Sequence, residues 1–157
     1  MKKTVLFFLL CSLTSSLYAE ALKIKANSFS SDQNTGISVF KGNVNIVKSN
    51  DELNASEVTI FVDKKRNPTK FVAVGNVSFA IETKNGAKYR GVAGRTIYFP
   101  KKKEYYFYDN VHLRQLNEKN EILGDEVVLK TIDGKAYAKG LKKEPVIMIF
   151  NIDEGKK

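Results

Sequence analysis

Few side chains in this sequence could support covalent chemistry or hold a metal ion. His112 is the only histidine and Cys11 the only cysteine, and one residue of each kind cannot supply the usual zinc ligand sets. The sequence has no Gly-x-Ser-x-Gly elbow and no glycine-rich phosphate loop. Its carboxylates are scattered rather than paired. We therefore predict a protein that is not an enzyme and uses no metal or cofactor.

The residues best suited to bind a ligand are apolar and recur at every second position. They form either an ordinary packed core or the wall of a groove wide enough for acyl chains. Burial of each acyl methylene contributes roughly 0.8 kcal/mol, so such a groove needs no specific polar contact to bind strongly. The candidate residues are Val44, Ile46, Val58, Ile60, Phe71, Val77, Phe79, Phe107, Val111 and Leu113.

The elements that carry these residues are predicted to be β-strands. Apolar and polar residues alternate over 40–46, 58–62, 71–81 and 105–113, which is the pattern of half-buried strands. Turn-forming residues separate the strands, as at Asn34-Thr35-Gly36, Asn85-Gly86 and Asp133-Gly134. Helical periodicity is nearly absent. The fold class is therefore all-β.

A repeat is the most specific feature of the sequence. Asn43, Asn76 and Asn110 lie 33 and 34 residues apart, and each is followed by a valine, a polar residue and a large apolar residue. Glycine precedes the first two asparagines and Asp109 precedes the third. Every copy turns its apolar face the same way, so the copies must stack to bury it. A glycine in a strand also leaves room for a bend or for a close approach.

A second motif recurs between the copies of the first. A small residue precedes polar ones at Ala26, Ala55, Ala93 and Gly124. We interpret these four positions as the starts of strands.

The N-terminus has the order of a secretory signal. Lys2 and Lys3 are followed by an apolar run and then by small residues around Ala19. We predict a cleaved signal peptide over 1–19 and a single domain over 20–157. The large Leu10 before Cys11 argues against lipidation.

The net charge of +9 favours an anionic partner. Export makes envelope lipid a better candidate than nucleic acid. Three basic clusters lie at predicted turns, where they are either solvated hairpin tips or contacts for lipid phosphates. The clusters are Lys64-Lys65-Arg66, Lys101-Lys102-Lys103 and Lys142-Lys143.

The two interleaved motifs resemble the OstA-like domain of the LptA family, the periplasmic bridge of lipopolysaccharide transport. The resemblance runs from Leu22 to Phe150. It implies a twisted antiparallel β-jelly roll, elongated and open at both ends. Asn27 and Ser56 depart from the family's usual aspartate, and Asp109 departs from its usual glycine.

The same resemblance implies a function in the periplasm. The groove would bind lipopolysaccharide by its lipid A portion and carry it from the inner to the outer membrane. Inner- and outer-membrane Lpt components, and further copies of this chain, would join head to tail by strand pairing at 22–26 and 146–150. Partner subunits of the bridge share the domain, but the short signal favours the soluble bridge. The alternative is a non-catalytic envelope scaffold that pairs partners through strand edges.

Asn54 lies in an Asn-Ala-Ser sequon with Glu52 two residues before it. Some bacteria glycosylate this form of sequon. Chance occurrence is the interpretation that we favour.

Overall fold

The computed structural model describes residues 20–141 and 144–152, which form one antiparallel β-sheet. The predicted signal peptide and the Lys142-Lys143 pair lie outside these residues. A helix that could span a membrane is absent from these two ranges. The strands are β1 (Leu22–Lys25), β2 (Ser28–Asp32), β3 (Ile37–Lys48), β4 (Asp51–Val62), β5 (Pro68–Glu82), β6 (Lys88–Phe99), β7 (Glu104–Gln115), β8 (Asn120–Lys130), β9 (Lys135–Lys139) and β10 (Ile147–Ile149).

Strands β3 to β8 form a meander in which each strand pairs with the next. The short strands β1 and β2 both pair with the outer edge of β3, and β9 and β10 both pair with the outer edge of β8. The sheet is thus open, with β1 and β10 at opposite ends of the strand order. The predicted all-β antiparallel fold, open at both ends, is confirmed.

A line of bulges crosses the sheet. The register shifts at the same level in each neighbouring pair from β3/β4 to β7/β8. At each bulge, two residues with positive φ lie opposite a single residue of the neighbouring strand. The strand that carries the two residues bends at this point. These residues are Gly42-Asn43, Gly75-Asn76 and Asp109-Asn110. The repeated pair, Gly-Asn in two copies and Asp-Asn in the third, is therefore a bulge.

The second motif lies opposite the bulges. The Asn27 amide donates to the Gly42 carbonyl at 2.9 Å. Ser56 faces Gly75, and Gly94 faces Asp109. The interpretation of this motif as strand starts is wrong for Ala55, Ala93 and Gly124, which lie in the middle of β4, β6 and β8. The residue that follows the small one (Asn27, Ser56 or Gly94) is therefore the one that lies against the bulge of the neighbouring strand.

The bulges divide the sheet into two half-sheets that face each other. The first half-sheet contains 44–48, 51–55, 77–82, 88–93, 111–115 and 120–124, and the second contains the remainder of β3 to β8. Phe79 in the first half-sheet stacks on Phe107 in the second, with ring centroids 4.1 Å apart. The valine after each bulge (Val44, Val77 and Val111) is buried. The apolar faces thus share one interior.

The interior contains two apolar clusters. One lies toward the β1 end and includes Val44 and Val58. The other lies toward the β10 end and includes Leu113 and Leu129. Both are built from residues that alternate with exposed ones along the strands, so the sequence pattern alone requires these side chains to point inward.

Candidate functional site

An apolar cavity of about 280 Å³ lies between the two half-sheets, at the junction of the two clusters. Ile46 and Val58 from the first cluster line it, as do Phe79 and Ile81 from the second. Ala73 is also part of the wall, and its small side chain leaves space where a larger residue would fill the interior. We call this cavity the groove.

The groove opens between two lips. The first lip is residues 48–51, where β3 turns into β4, and Lys48 and Asp51 line the opening there. The second lip is residues 98–100 at the end of β6, where Tyr98 and Pro100 line it. These lining residues are partly exposed, whereas the wall deeper inside is buried. The groove therefore has an apolar floor and a polar mouth.

Among the described residues, Asp51 is the only carboxylate at the mouth whose side chain forms a hydrogen bond with the opposite half-sheet. The Tyr105 hydroxyl donates to its Oδ2 at 3.3 Å, and the Glu82 amide donates to its Oδ1 at 2.9 Å. Burial raises the pKa of Asp51, although both hydrogen bonds act in the opposite direction. Burial likewise raises the pKa of Tyr105 well above its ordinary value.

A row of aromatic rings lines the interior beside the groove. Centroid distances are 5.9 Å from Phe71 to Tyr98, 4.3 Å from Tyr98 to Tyr105, 5.9 Å from Tyr105 to Phe107 and 4.1 Å from Phe107 to Phe79. The row runs from the mouth to the cluster at the β10 end. Its wide apolar faces are suited to packing against hydrocarbon.

Backbone hydrogen bonds also join the two half-sheets outside the lips. The amide of Lys84, in the β5–β6 turn, donates to the carbonyl of Thr131, in the β8–β9 turn, at 2.8 Å. The Thr131 amide in turn donates to the Lys103 carbonyl at 3.0 Å. These bonds join the turns at the edges of the two half-sheets.

All ten residues predicted to face a common interior lie on the inner face. Nine are buried and Phe71 is half-buried. The structure brings Ile46, Val58, Phe71 and Phe79 to the groove. The other six, Val44, Ile60, Val77, Phe107, Val111 and Leu113, pack within the two clusters.

Several groove residues were not predicted from the sequence. Asp51 reaches the mouth through the turn at 49–50, which carries no motif. Tyr98 and Thr96 lie on β6, where the alternation is interrupted at Gly94. Tyr105 had a usable signal, because it continues the alternation of Phe107, Val111 and Leu113.

A polar cleft adjoins the mouth. It shares Lys48, Asp51 and Tyr98 with the groove and is also lined by Lys84 and Lys103. One residue of the predicted cluster 101–103 thus lies at the site. Lys64, Lys65 and Arg66 are exposed in the β4–β5 turn, as predicted for a hairpin tip.

The outer face carries polar ladders. His112 lies there, with its Nε2 atom 2.6 Å from Glu121 Oε2. Asn54 accepts from Asn45 Nδ2 at 2.8 Å and donates to the Ser78 hydroxyl at 3.4 Å. No group of three or more histidine, cysteine or acidic residues gathers as a metal site in the described ranges.

Comparison with known proteins finds a matching family model and similar solved structures. The model of a family described as LptA/(LptD N-terminal domain) LPS transport protein matches residues 23–135. The crystal structure of LptH, described as the LptA homologous periplasmic component of the conserved lipopolysaccharide transport device from Pseudomonas aeruginosa, is similar with a TM-score of 0.75. It is 19% identical, and the match covers 85% of this chain and 96% of that one. This likeness concerns the fold. No curated protein matches the chain.

Proposed function

Because the chain belongs to the LptA/(LptD N-terminal domain) family of lipopolysaccharide transport proteins, we propose that its groove binds the lipid portion of lipopolysaccharide and that the protein carries this lipid from the inner to the outer membrane. A transport family also means that the chain is not an enzyme. The observation that carries the proposal is an apolar cavity between the half-sheets with a polar mouth.

The groove suits a passive carrier. Each acyl methylene that enters contributes roughly 0.8 kcal/mol. Apolar attraction has no preferred direction, so a chain can slide along the interior without breaking specific bonds. The energy for net movement then comes from a partner elsewhere, which pushes each new lipid in behind the last.

We place the headgroup beside the first lip. Lys48 borders both the groove and the adjoining cleft, and Lys84 and Lys103 line that cleft. Basic residues beside an apolar cavity suit an amphiphile whose phosphate stays outside while its chains enter. Glu20, Asp51 and Glu82 also line the cleft, so its charge is mixed.

The proposed site of action is the periplasm. Residues 1–19 would direct export and be removed, and residues 20–157 would form the functional domain. Partners would then dock at the two open edges of the sheet. An edge strand presents unpaired amide and carbonyl groups that a strand of another chain can continue. We propose that β1 and β10 pair in this way with inner- and outer-membrane Lpt components or with further copies of the chain.

Photo-crosslinking tests lipid carriage against the scaffold alternative. A benzoylphenylalanine at Phe71, which lines the groove, should form adducts with lipopolysaccharide in cells. The matched control is the same group at Val74, three residues along β5 and 44% exposed. Lipid adducts at 71 and none at 74 support carriage. Adducts with protein alone at 71 would favour a scaffold and contradict the proposal.

A further inference from the structure

Thr96 places a hydroxyl group without a partner in the wall of an apolar cavity. The residue lies in β6, is 1% exposed and lines the groove. Its Oγ1 atom makes no hydrogen bond. Buried hydroxyl groups are normally satisfied, because an unpaired one forfeits the hydrogen bonds that it makes with water in the unfolded chain. This atom therefore needs an explanation.

The neighbours of Thr96 cannot satisfy it. Its partners in the sheet are Ala73 on β5 and Phe107 on β7, and neither side chain carries a polar atom. Valine has nearly the same shape as threonine and would fill this position without an unpaired oxygen. Packing and strand propensity thus account for a β-branched residue here but not for its hydroxyl group.

The hydroxyl group lies deeper than the other polar atoms of the groove. Tyr98 is at the mouth, and Thr96 is two residues before it on the same inner face. Two residues of a strand span about 7 Å. A ligand that reaches Thr96 must therefore pass the mouth and enter the apolar part of the groove. The wall at this depth offers one hydroxyl group among hydrocarbon and aromatic faces. It therefore suits a ligand that is an apolar chain with a single polar atom.

We propose that the groove selects acyl chains that carry a hydroxyl group, and that Thr96 Oγ1 is its hydrogen-bond partner. This inference rests on the proposed function, because it requires acyl chains to enter the groove. A threonine hydroxyl both donates and accepts, so it pairs with a chain hydroxyl in either direction. A plain alkyl chain leaves it unpaired. The selection thus comes from the cost of an unmatched polar group in the protein rather than from a larger apolar contact.

The test uses two sets of lysophospholipids that share one headgroup and a 14-carbon chain. One set carries a hydroxyl group at carbon 3, 5 or 7, and the other is unsubstituted. Binding to the full protein is measured by calorimetry below the critical micelle concentration. We expect at least one hydroxylated chain to bind about 2- to 10-fold more tightly than the plain chain, which is the range of one net hydrogen bond.

Two variants assign the preference to Thr96. Thr96→Val should abolish the preference by weakening only the hydroxylated chain, and Thr96→Ser should keep it. Thr59→Val on β4, whose alternation with buried Val58 and Ile60 places it on the outer face, is the matched control and should behave as the wild type.

The outcomes separate the two proposals. If the wild type binds plain and hydroxylated chains equally, the assignment to Thr96 is wrong while carriage of acyl chains stands. The same conclusion follows if Thr96→Val keeps the preference. If no chain binds at all, the proposed function fails first. Equal weakening of both chains by Thr96→Val would show that the hydroxyl group serves a buried water or the fold, and would also overturn the inference.

Discussion

The Tyr105 hydroxyl donates a hydrogen bond of 3.3 Å to the Asp51 carboxylate across the mouth of the groove. Asp51 belongs to the first lip and Tyr105 to β7 in the second half-sheet, so this bond joins the two halves of the folded sheet. It also keeps a partly buried carboxylate at the entrance to an apolar cavity. Burial is the main cause of the raised pKa of Asp51.

This raised pKa predicts how Asp51 changes stability with pH. The folded protein holds the Asp51 proton more tightly than the unfolded chain, whose carboxyl has its ordinary pKa of 3.8. Asp51 therefore contributes stability that is fully present below pH 3.8 and is lost as pH rises through the folded pKa. Asp51→Asn removes this titration. The difference in Tm between the variant and the wild type (variant minus wild type) should therefore rise between pH 3 and pH 7.

Asp63→Asn is the matched control, because the pKa of Asp63 is shifted in the opposite direction to that of Asp51. The Asn67 amide donates to Asp63 at 2.9 Å and holds the pKa of that carboxyl below 3.8. Stability from Asp63 is present above its ordinary pKa and is lost as pH falls. Its Tm difference should thus fall between pH 3 and pH 7. Parallel curves for the two variants would show that burial does not control the Asp51 titration.

The sequence predicts strands β3, β5 and β7 better than β4, β6 and β8, and the bulges explain why. The two bulge residues, such as Gly75 and Asn76, keep the inner face on odd positions along the whole of β5. On β6 the buried residues change from odd positions, ending at Ala93, to even positions, beginning at Thr96. The change occurs beside the bulges of the neighbouring strands. Alternation is therefore interrupted on the even-numbered strands, and a pattern with strict period two finds only half of each.

The mouth of the groove could not be predicted from the repeat. Asp51 and Tyr105 are 54 residues apart in sequence, and they meet only because the sheet folds along the line of bulges. The repeat requires a shared interior, but it does not say where small side chains such as Ala73 leave that interior empty. Cavities depend on the sum of side-chain volumes from several strands, which a pattern along one strand does not contain.

The bulges themselves provide a prediction about stability. Gly75 has a φ of 84°, and a Cβ added there would lie 2.8 Å from Ser56 Oγ and 2.9 Å from Ser56 Cβ. Gly75→Ala should lower the free energy of unfolding by about 2–4 kcal/mol, from backbone strain and overpacking together. Gly86→Ala is the control, since φ is 86° and no atom lies within 4 Å. It should cost only the strain, about 1–2 kcal/mol, in the same urea titration.

A second substitution should rescue the first in part. The third bulge carries a side chain at Asp109 and faces Gly94 instead of a serine. Ser56→Gly in the Gly75→Ala background copies this arrangement and should recover about 1 kcal/mol by removing the contact. If the double variant is no more stable than Gly75→Ala, close approach to Ser56 is not the reason for glycine at this position.

The placement of the headgroup predicts an effect of charge at one lip. Lys48→Glu should weaken binding of an anionic lysophospholipid about tenfold at low salt, because a nearby attraction becomes a repulsion. Lys64→Glu makes the same change of net charge in the exposed β4–β5 turn and should have little effect. Added salt should reduce the difference between the variants. Equal weakening by both would indicate a general effect of net charge and would contradict a headgroup site beside the first lip.

The proposed pairing at the edge of β10 predicts the effect of two substitutions on association between copies of the chain. Ile147 and Ile149 are 50% and 44% exposed, while β10 pairs with β8 on its other side. An exposed apolar edge strand favours pairing with another chain, and lysine on such a strand opposes it. Ile147→Lys combined with Ile149→Lys should therefore abolish concentration-dependent assembly in light scattering. Because both side chains are already half exposed, Tm should change by less than about 3 °C.

Val74→Lys combined with Val92→Lys is the control for the β10 variant. These valines are 44% and 49% exposed and lie within β5 and β6, where the backbone is paired on both sides. The added charge is the same, but no free edge is altered, so assembly should persist. If the control also abolishes assembly, net charge rather than the β10 edge governs association. If the β10 variant assembles like the wild type, copies of the chain meet at another surface.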